Sequence, residues 1–177
     1  MRIRGFTLIE LLLYIGLTAV ILFTSLALAW RVIDGQTKQS ALSEVEYAGG
    51  FALHTITYNA ERATALTGSI YAINPGKLIL TYTSAPQIVI DTYDKQIVQN
   101  SATITIKKIR MQIGANPAVD LTSDRVTVTH FTVSQRSTSA AVSAQIDLSI
   151  QMLNPSNSQS FNASNSWRTT FTCQKPL

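Results

Sequence analysis

From Phe6 to Trp30 the chain reads FTLIELLLYIGLTAVILFTSLALAW, a 25-residue stretch whose only charge is Glu10. No other feature restricts the fold as strongly. A helix needs about 20 apolar residues to cross a bilayer core, whereas the apolar core of a cleavable secretory signal is shorter, about 7–15 residues. After Trp30 the chain continues Arg31-Val32-Ile33-Asp34-Gly35, which lacks the small-residue site at which such a signal is cut. The segment is therefore expected to stay on the chain as an anchor. Arg2 and Arg4, on its short N-terminal side, favour a cytoplasmic N-terminus, with the rest of the chain across the membrane.

Glu10 sharpens this reading. A carboxylate inside an apolar helix costs about 2.5–3.5 kcal/mol on insertion scales when it lies at the bilayer centre. Glu10 lies near the start of the run, so two readings stand: its side chain snorkels to water, or it pairs with a positive charge from a neighbouring chain.

The residues around it, Arg4-Gly5-Phe6-Thr7-Leu8-Ile9-Glu10-Leu11-Leu12, resemble the processing signature of the type IV prepilins. The resemblance implies cleavage by a prepilin peptidase between Gly5 and Phe6, with Phe6 becoming the N-methylated first residue. A glycine at the cut also suits a peptidase that must admit the backbone closely. The family implies a role for Glu10 as well, a salt bridge to the N-terminal ammonium of the adjacent subunit during assembly. Shaft-forming members commonly carry a proline about two-thirds along the apolar helix. Here Ala27 stands at that place, and the first proline is Pro75. That departure, with the absence of paired C-terminal cysteines, points to a minor, tip-proximal subunit. The Leu-Thr-Ser-Asp-Arg-Val step at 121–126 is similar to minor pilins and J-type minor pseudopilins.

Beyond the anchor, Leu42, Val45, Gly49, Ala52, Ile56 and Ala63 recur on one helical face, which predicts an amphipathic continuation over 31–67. A kink or fraying is expected at Asp34-Gly35, and close packing at Gly49-Gly50. After Leu66 the period drops to two. Strands are predicted at 77–82, 87–92, 102–109, 125–134, 141–152 and 167–172, with turns at Asn74-Pro75-Gly76, Ala115-Asn116-Pro117 and Thr122-Ser123-Asp124 and a hairpin connection at 135–140. The polar run 154–166 reads as a surface loop. The expected class is α+β: a leader at 1–5, a transmembrane half-helix at 6–30, its continuation at 31–67 and a β-rich region at 68–177. In the pilin architecture that the resemblance implies, an antiparallel sheet packs on the second half of the helix.

Composition excludes more than it assigns. The net charge of +4 falls to +2 without Arg2 and Arg4, too mild to argue nucleic-acid binding from bulk charge. Cys173 is the single cysteine, so an intramolecular disulfide is excluded; burial is the ordinary reading, with a free thiol or a bridge to another chain as the alternatives. His54 and His130 lack metal-ligand spacing, and Asp91, Asp94 and Asn100 lack that of a calcium loop. No catalytic motif is present, so no enzyme, cofactor, metal or small-molecule substrate is expected. Lys107, Lys108 and Arg110 form the densest basic cluster, read either as a solvated strand edge or as a DNA or surface patch aided by Tyr82, Tyr93 or Phe131.

Together these readings predict a structural subunit of a type IV pilus-like or type II secretion filament in the bacterial inner membrane, later an extracytoplasmic filament. Its expected partners are the prepilin peptidase, other pilin or pseudopilin subunits and the inner-membrane assembly platform. A filament-tip binding module for DNA uptake or adhesion is the alternative, and a signal-anchored protein that never assembles is a third reading.

Overall fold

A computed structural model describes residues 7–99, 101–136, 142–154 and 162–173. One helix, α1 (Leu8–Arg62), precedes eight strands: β1 (Ala65–Leu66), β2 (Leu78–Thr81), β3 (Ile88–Gln99), β4 (Ala102–Ile113), β5 (Val119–Asp120), β6 (Val126–Gln135), β7 (Ser143–Met152) and β8 (Ser164–Thr172). The class is α+β, with two antiparallel sheets, β1-β2-β3-β4-β5 and β6-β7-β8, where a single sheet was expected.

α1 spans 55 residues, about 83 Å at 1.5 Å per residue. Its first part is exposed throughout, and its second part buries Ala41, Val45, Ala48, Gly49, Ala52, Leu53, Ile56 and Ala60. The buried stripe is thus the predicted face filled in with small alanines, while Leu42 falls at its margin, 37% exposed. The helix passes unbroken through Asp34-Gly35, so the expected fraying does not occur there. One glycine costs about 1 kcal/mol of helix, and Thr37 Oγ1 donates to the Ile33 carbonyl across it at 2.9 Å. Helical geometry ends at Arg62 rather than near Thr67, because Thr64 donates through both its backbone N (2.8 Å) and Oγ1 (3.0 Å) to the Thr81 carbonyl and the chain turns into β1.

Close packing occurs at Gly49 and not at Gly50. The Trp167 ring of β8 occupies the space that a Cβ on Gly49 would need, whereas Gly50 faces open space. The even-numbered residues of β7, Ala144, Ile146, Leu148 and Ile150, join Phe131, Val133 and Phe171 against the helix, and the odd-numbered ones face outward, as period two requires.

Two segments tie the sheets together. In the loop between β1 and β2, Ala72 N donates to the Val133 carbonyl (2.8 Å) and Gly76 N to that of Phe131 (2.7 Å), while Asn74 Oδ1 accepts from Phe131 N (3.1 Å). A Cβ on Gly76 would come within 3.1–3.3 Å of the β6 backbone, so a larger residue there would push the β6 backbone back by a few tenths of an ångström. In the segment between β5 and β6, Leu121 N donates to the Ile109 carbonyl (2.8 Å), Ser123 Oγ to Glu44 Oε1 on the helix (2.7 Å), and Leu153 N to the Arg125 carbonyl (2.8 Å).

The predicted strands all form, with corrected bounds. β3 runs to Gln99 and β4 to Ile113, because the two pair along their whole lengths from Ile88↔Ile113 to Gln99↔Ala102. β8 starts at Ser164, inside the run read as a loop, since Ser164–Ser166 pair with Gln151–Ser149. Residues 155–161 of that run, and 137–140 of the expected hairpin connection, lie outside the described residues.

Substituting Gly49→Ala is expected to lower stability by about 2 kcal/mol through overpacking against Trp167. Gly50→Ala, which meets nothing, is expected to raise it by up to about 1 kcal/mol. Denaturant unfolding of the detergent-solubilised chain distinguishes the two; equal effects would contradict the packing described.

Candidate functional site

Two features merit the term, the N-terminal half of α1 and the basic cluster on β4. By length and composition α1 is able to cross a membrane, and Leu8 through Trp30 are all exposed. A helix apolar on every side has no face to present to water. Trp30 and Arg31 close the apolar run, the residue types that sit at a membrane interface. Threonines inside the run return their hydroxyls to the backbone: Thr18 donates to the Tyr14 carbonyl (2.8 Å) and Thr24 to that of Val20 (3.0 Å).

Gly5 and Phe6 lie outside the described residues. Glu10 closes the first turn. Thr7 is the N-cap, its Oγ1 accepting from Glu10 N (3.4 Å), and Glu10 Oε2 accepts from Thr7 N (3.0 Å) and Thr7 Oγ1 (2.9 Å). This capping box gives the carboxylate two local donors, an arrangement that the spacing of Thr7 and Glu10 already encodes.

The outward face of the helix beyond the apolar run carries Tyr47, Phe51, His54 and Tyr58, with Tyr47 and Phe51 stacked at 6.3 Å and His54 and Tyr58 at 6.4 Å. Among the described residues these rings have no sheet against them, and Tyr47 is 74% exposed.

The basic cluster is not a solvated edge. Lys107 and Lys108 point to opposite faces of β4, and each of the three cations meets a carboxylate. Lys107 Nζ lies 2.8 Å from Asp94 Oδ1. Arg110 Nε lies 2.7 Å from Asp91 Oδ1, with its guanidinium 4.9 Å from the centre of the Tyr93 ring. Lys108, only 2% exposed, lies 2.7 Å from Asp120 Oδ2 and 2.5 Å from Asp124 Oδ1. Lys95 completes the group at 3.0 Å from Asp124, and Tyr93 donates its hydroxyl to Asp120 Oδ1 at 2.8 Å. One face of the β3–β4 hairpin therefore carries three cations (Lys95, Lys108, Arg110) against three carboxylates (Asp91, Asp120, Asp124). The cause is β5, whose pairing with β4 sets Asp120 opposite Arg110, and the segment after it, which brings Asp124 to the same group. Of the aromatic residues considered beside the cluster, only Tyr93 is there; Phe131 is in the core and Tyr82 donates to the Asn59 carbonyl.

Burial pushes the Asp120 carboxyl up, but hydrogen bonds from Lys108 and Tyr93 outweigh it and hold the group below the usual aspartate range. Hydrogen bonds from Lys108 and Lys95 depress Asp124 against the opposing effect of burial. The network can neutralise and fix a buried lysine; its cations are engaged.

Among the described residues no group of three His, Cys, Asp or Glu side chains is placed to hold a metal ion. His130 lies on the outer face of β6 with Nε2 3.3 Å from Thr132 Oγ1. It borders a shallow groove of about 350 Å³ that is also lined by Asp147, Ser149, Ser166 and Arg168. Arg168 Nε is bound to Asp147 (2.5 Å), and the two serine hydroxyls to each other (2.8 Å). Cys173 is buried, the first of the readings given for it.

No family model matches the chain, and neither the curated proteins nor the solved structures contain a match.

Depressed carboxyl pKa values make a signed prediction. Stability from Asp120 and Asp124 is fully present above the unfolded aspartate pKa, about 3.9, and is lost as pH falls through the lower folded values. Lys108→Met is expected to flatten the acid limb of a stability-against-pH curve. Asp120→Ala at neutral pH is expected to cost on the order of 2 kcal/mol, less than a fully buried pair because the carboxylates are partly exposed. An unchanged acid limb in Lys108→Met would contradict this account.

Proposed function

We propose that this chain is a structural subunit of a type IV pilin-like filament, cleaved by a prepilin peptidase between Gly5 and Phe6, N-methylated at Phe6 and assembled by helix packing. The observation that carries the reading is α1 itself: a single helix whose first half is apolar and exposed on every side while its second half is clamped to a β-domain. A protein that stayed in the bilayer would use the first half only as an anchor. In a filament the same surface packs against other helices, and the outward rings from Tyr47 to Tyr58 extend that packing surface beyond the membrane.

Two further points support it. The sequence that leads into the helix and forms its first turn resembles the processing signature residue by residue from Gly5 to Glu10. The capping box keeps Glu10 at the first turn, where the N-terminal ammonium of a neighbouring subunit would meet it; exchange of Thr7 donors for that ammonium converts a neutral contact into a charge pair. A minor, tip-proximal position agrees with the proline-free anchor. The binding-module alternative gains nothing from Lys107, Lys108 and Arg110, whose charges are matched by Asp94, Asp120, Asp124 and Asp91.

Mass spectrometry of the membrane-extracted protein, in a host with a prepilin peptidase, tests the processing. The expected mass lacks residues 1–5 and carries one added methyl group. A Gly5→Val chain is expected to keep its leader. Equal masses for the two chains, apart from the substitution itself, would remove the family reading. Glu10→Leu is expected to leave cleavage and membrane insertion intact while reducing incorporation into sheared filaments at least tenfold; full incorporation would show that the carboxylate has no role in assembly.

A further inference from the structure

The outer edge of β8 is bare. Met152 N donates to the Ala163 carbonyl and Cys173 N to that of Val142, so the odd-numbered residues of β8 turn their backbone to β7. The even-numbered ones, from Ser164 to Thr172, turn theirs away from the sheet. Among the described residues only one of those outward N–H groups has an acceptor: Ser166 N donates to the neighbouring Asn165 side chain. The opposite edge of the sheet, β6, is by contrast covered by Ala72, Asn74 and Gly76. β8 also lacks the usual protections of an edge. It pairs with β7 along its whole length without a bulge, holds no proline or lysine, and its one charge, Arg168, is drawn back over the sheet to Asp147.

A second bare edge matches it. Leu121 N donates to the Ile109 carbonyl and Lys107 N to Thr127 Oγ1, so odd residues of β4 face away from β3. By the register, even residues of β3 then face away from β4. β2 covers β3 only at Ile88–Ile90. Beyond it the two strands form a ribbon, and no described strand takes up the outward backbone of Asp94, Gln96 and Val98. The two edges run in opposite directions along α1. β8 begins near Leu153, which bonds Arg125, close to Ser123 and its helix partner Glu44; it ends at Cys173, near Tyr82, whose hydroxyl reaches Asn59. β3 descends instead, from Ile90, whose partner Met111 lies beside Asn59, to Lys95, which binds Asp124 next to Ser123. Two copies with their helices pointing the same way can therefore join β3 to β8 antiparallel. Antiparallel pairing of β8 with itself would reverse one of the helices.

We propose that the bare edge of β3 in one copy of this chain adds as a fourth strand to β8 of the next, with Asp94 opposite Arg168, Gln96 opposite Ser166 and Val98 opposite Ser164. The pairing rests on the filament reading and requires two adjacent copies. Arg168 binds Asp147 through Nε and Asp94 binds Lys107 through Oδ1, which leaves the Nη groups of one and Oδ2 of the other for each other. The same register turns Ile97, with Ile104 beside it, to the side of β8 on which α1 lies, where Gly50 faces open space and Leu42 is half-buried. It also sets Lys95, near the level of Glu44 in its own copy, opposite Trp167, which sits at Gly49 of the other. The copies are thus staggered by roughly 8 Å along the helix. Because the two surfaces differ, the contact repeats head to tail and builds an open chain.

The test is disulfide cross-linking in sheared filaments of the full chain, with Cys173→Ala throughout. Ile97 and Asn165 fall opposite each other at a non-hydrogen-bonded position, where side chains are closest. Ile97→Cys chains mixed with Asn165→Cys chains are expected to give a covalent dimer on mild oxidation, chains carrying both a ladder of multimers, and each variant alone neither. Ile97→Cys with Thr169→Cys, four residues out of register, is expected to give at least fivefold less. Gln96→Pro removes an N–H that points away from β4, so the ribbon survives it; added to the cysteine pair, it is expected to reduce the cross-link several-fold with thermal unfolding unchanged. Filaments that contain the chain but yield no mixed dimer overturn the strand pairing and leave the filament reading standing, whereas a chain that never enters filaments overturns both. A dimer from Ile97→Cys alone, or undiminished cross-linking in Gln96→Pro, also overturns the pairing.

Discussion

A helix that is apolar all round for its first turns and apolar along one stripe thereafter cannot be satisfied by a single environment. In α1 the change falls between Trp30 and Ala41. Before it every side chain is exposed; after it Val45, Ala52 and Ile56 are sealed against β7 and β8. Much of the remaining structure answers that demand. The three-stranded sheet supplies apolar residues at alternate positions to cover the stripe, the five-stranded sheet closes the core from the other side, and the two connecting segments keep the sheets on the helix. Residues 31–40, between the two regimes, are almost all exposed and make no tertiary hydrogen bond among the described residues, so their helix persists on propensity and on the turns to either side.

What could be read in advance was what periodicity carries. The long N-terminal helix follows from its unbroken apolar run, and its amphipathic face and the six longer strands from spacings of about 3.6 and 2. β1 and β5 did not, because a two-residue strand has no period. The distal part of β3 was missed for another reason: Asp94, Lys95 and Gln96 interrupt the apolar alternation, since a ribbon without a flanking layer has no core side to mark. Ser164–Ser166 read as a loop because a strand on a sheet edge can satisfy its backbone from one side while its side chains face water.

The basic cluster shows a different limit. Lys107, Lys108 and Arg110 are neighbours in sequence and look like a positive patch, yet their counter-charges come from Asp91 and Asp94 on the preceding strand and Asp120 and Asp124 after β4. Charge in a sequence is counted along one line, whereas a sheet sums it across three. Only the register, which places Asp91 opposite Arg110 and Asp94 opposite Lys107, reveals the cancellation. The buried ammonium of Lys108 is then costly to unpair, which makes the covering segment a fixed part of the domain.

The Trp167 ring seated over Gly49 has a mechanical consequence. Were α1 to slide by one residue or rotate by a fraction of a turn, a side chain such as that of Ala48 or Ala52 would be carried under the indole, where only hydrogen fits. The ring therefore acts as a detent. Tension applied along the helix axis reaches the β-domain as shear on that seat and on the Ser123–Glu44 bond, and the domain travels with the helix as one piece rather than slipping along it.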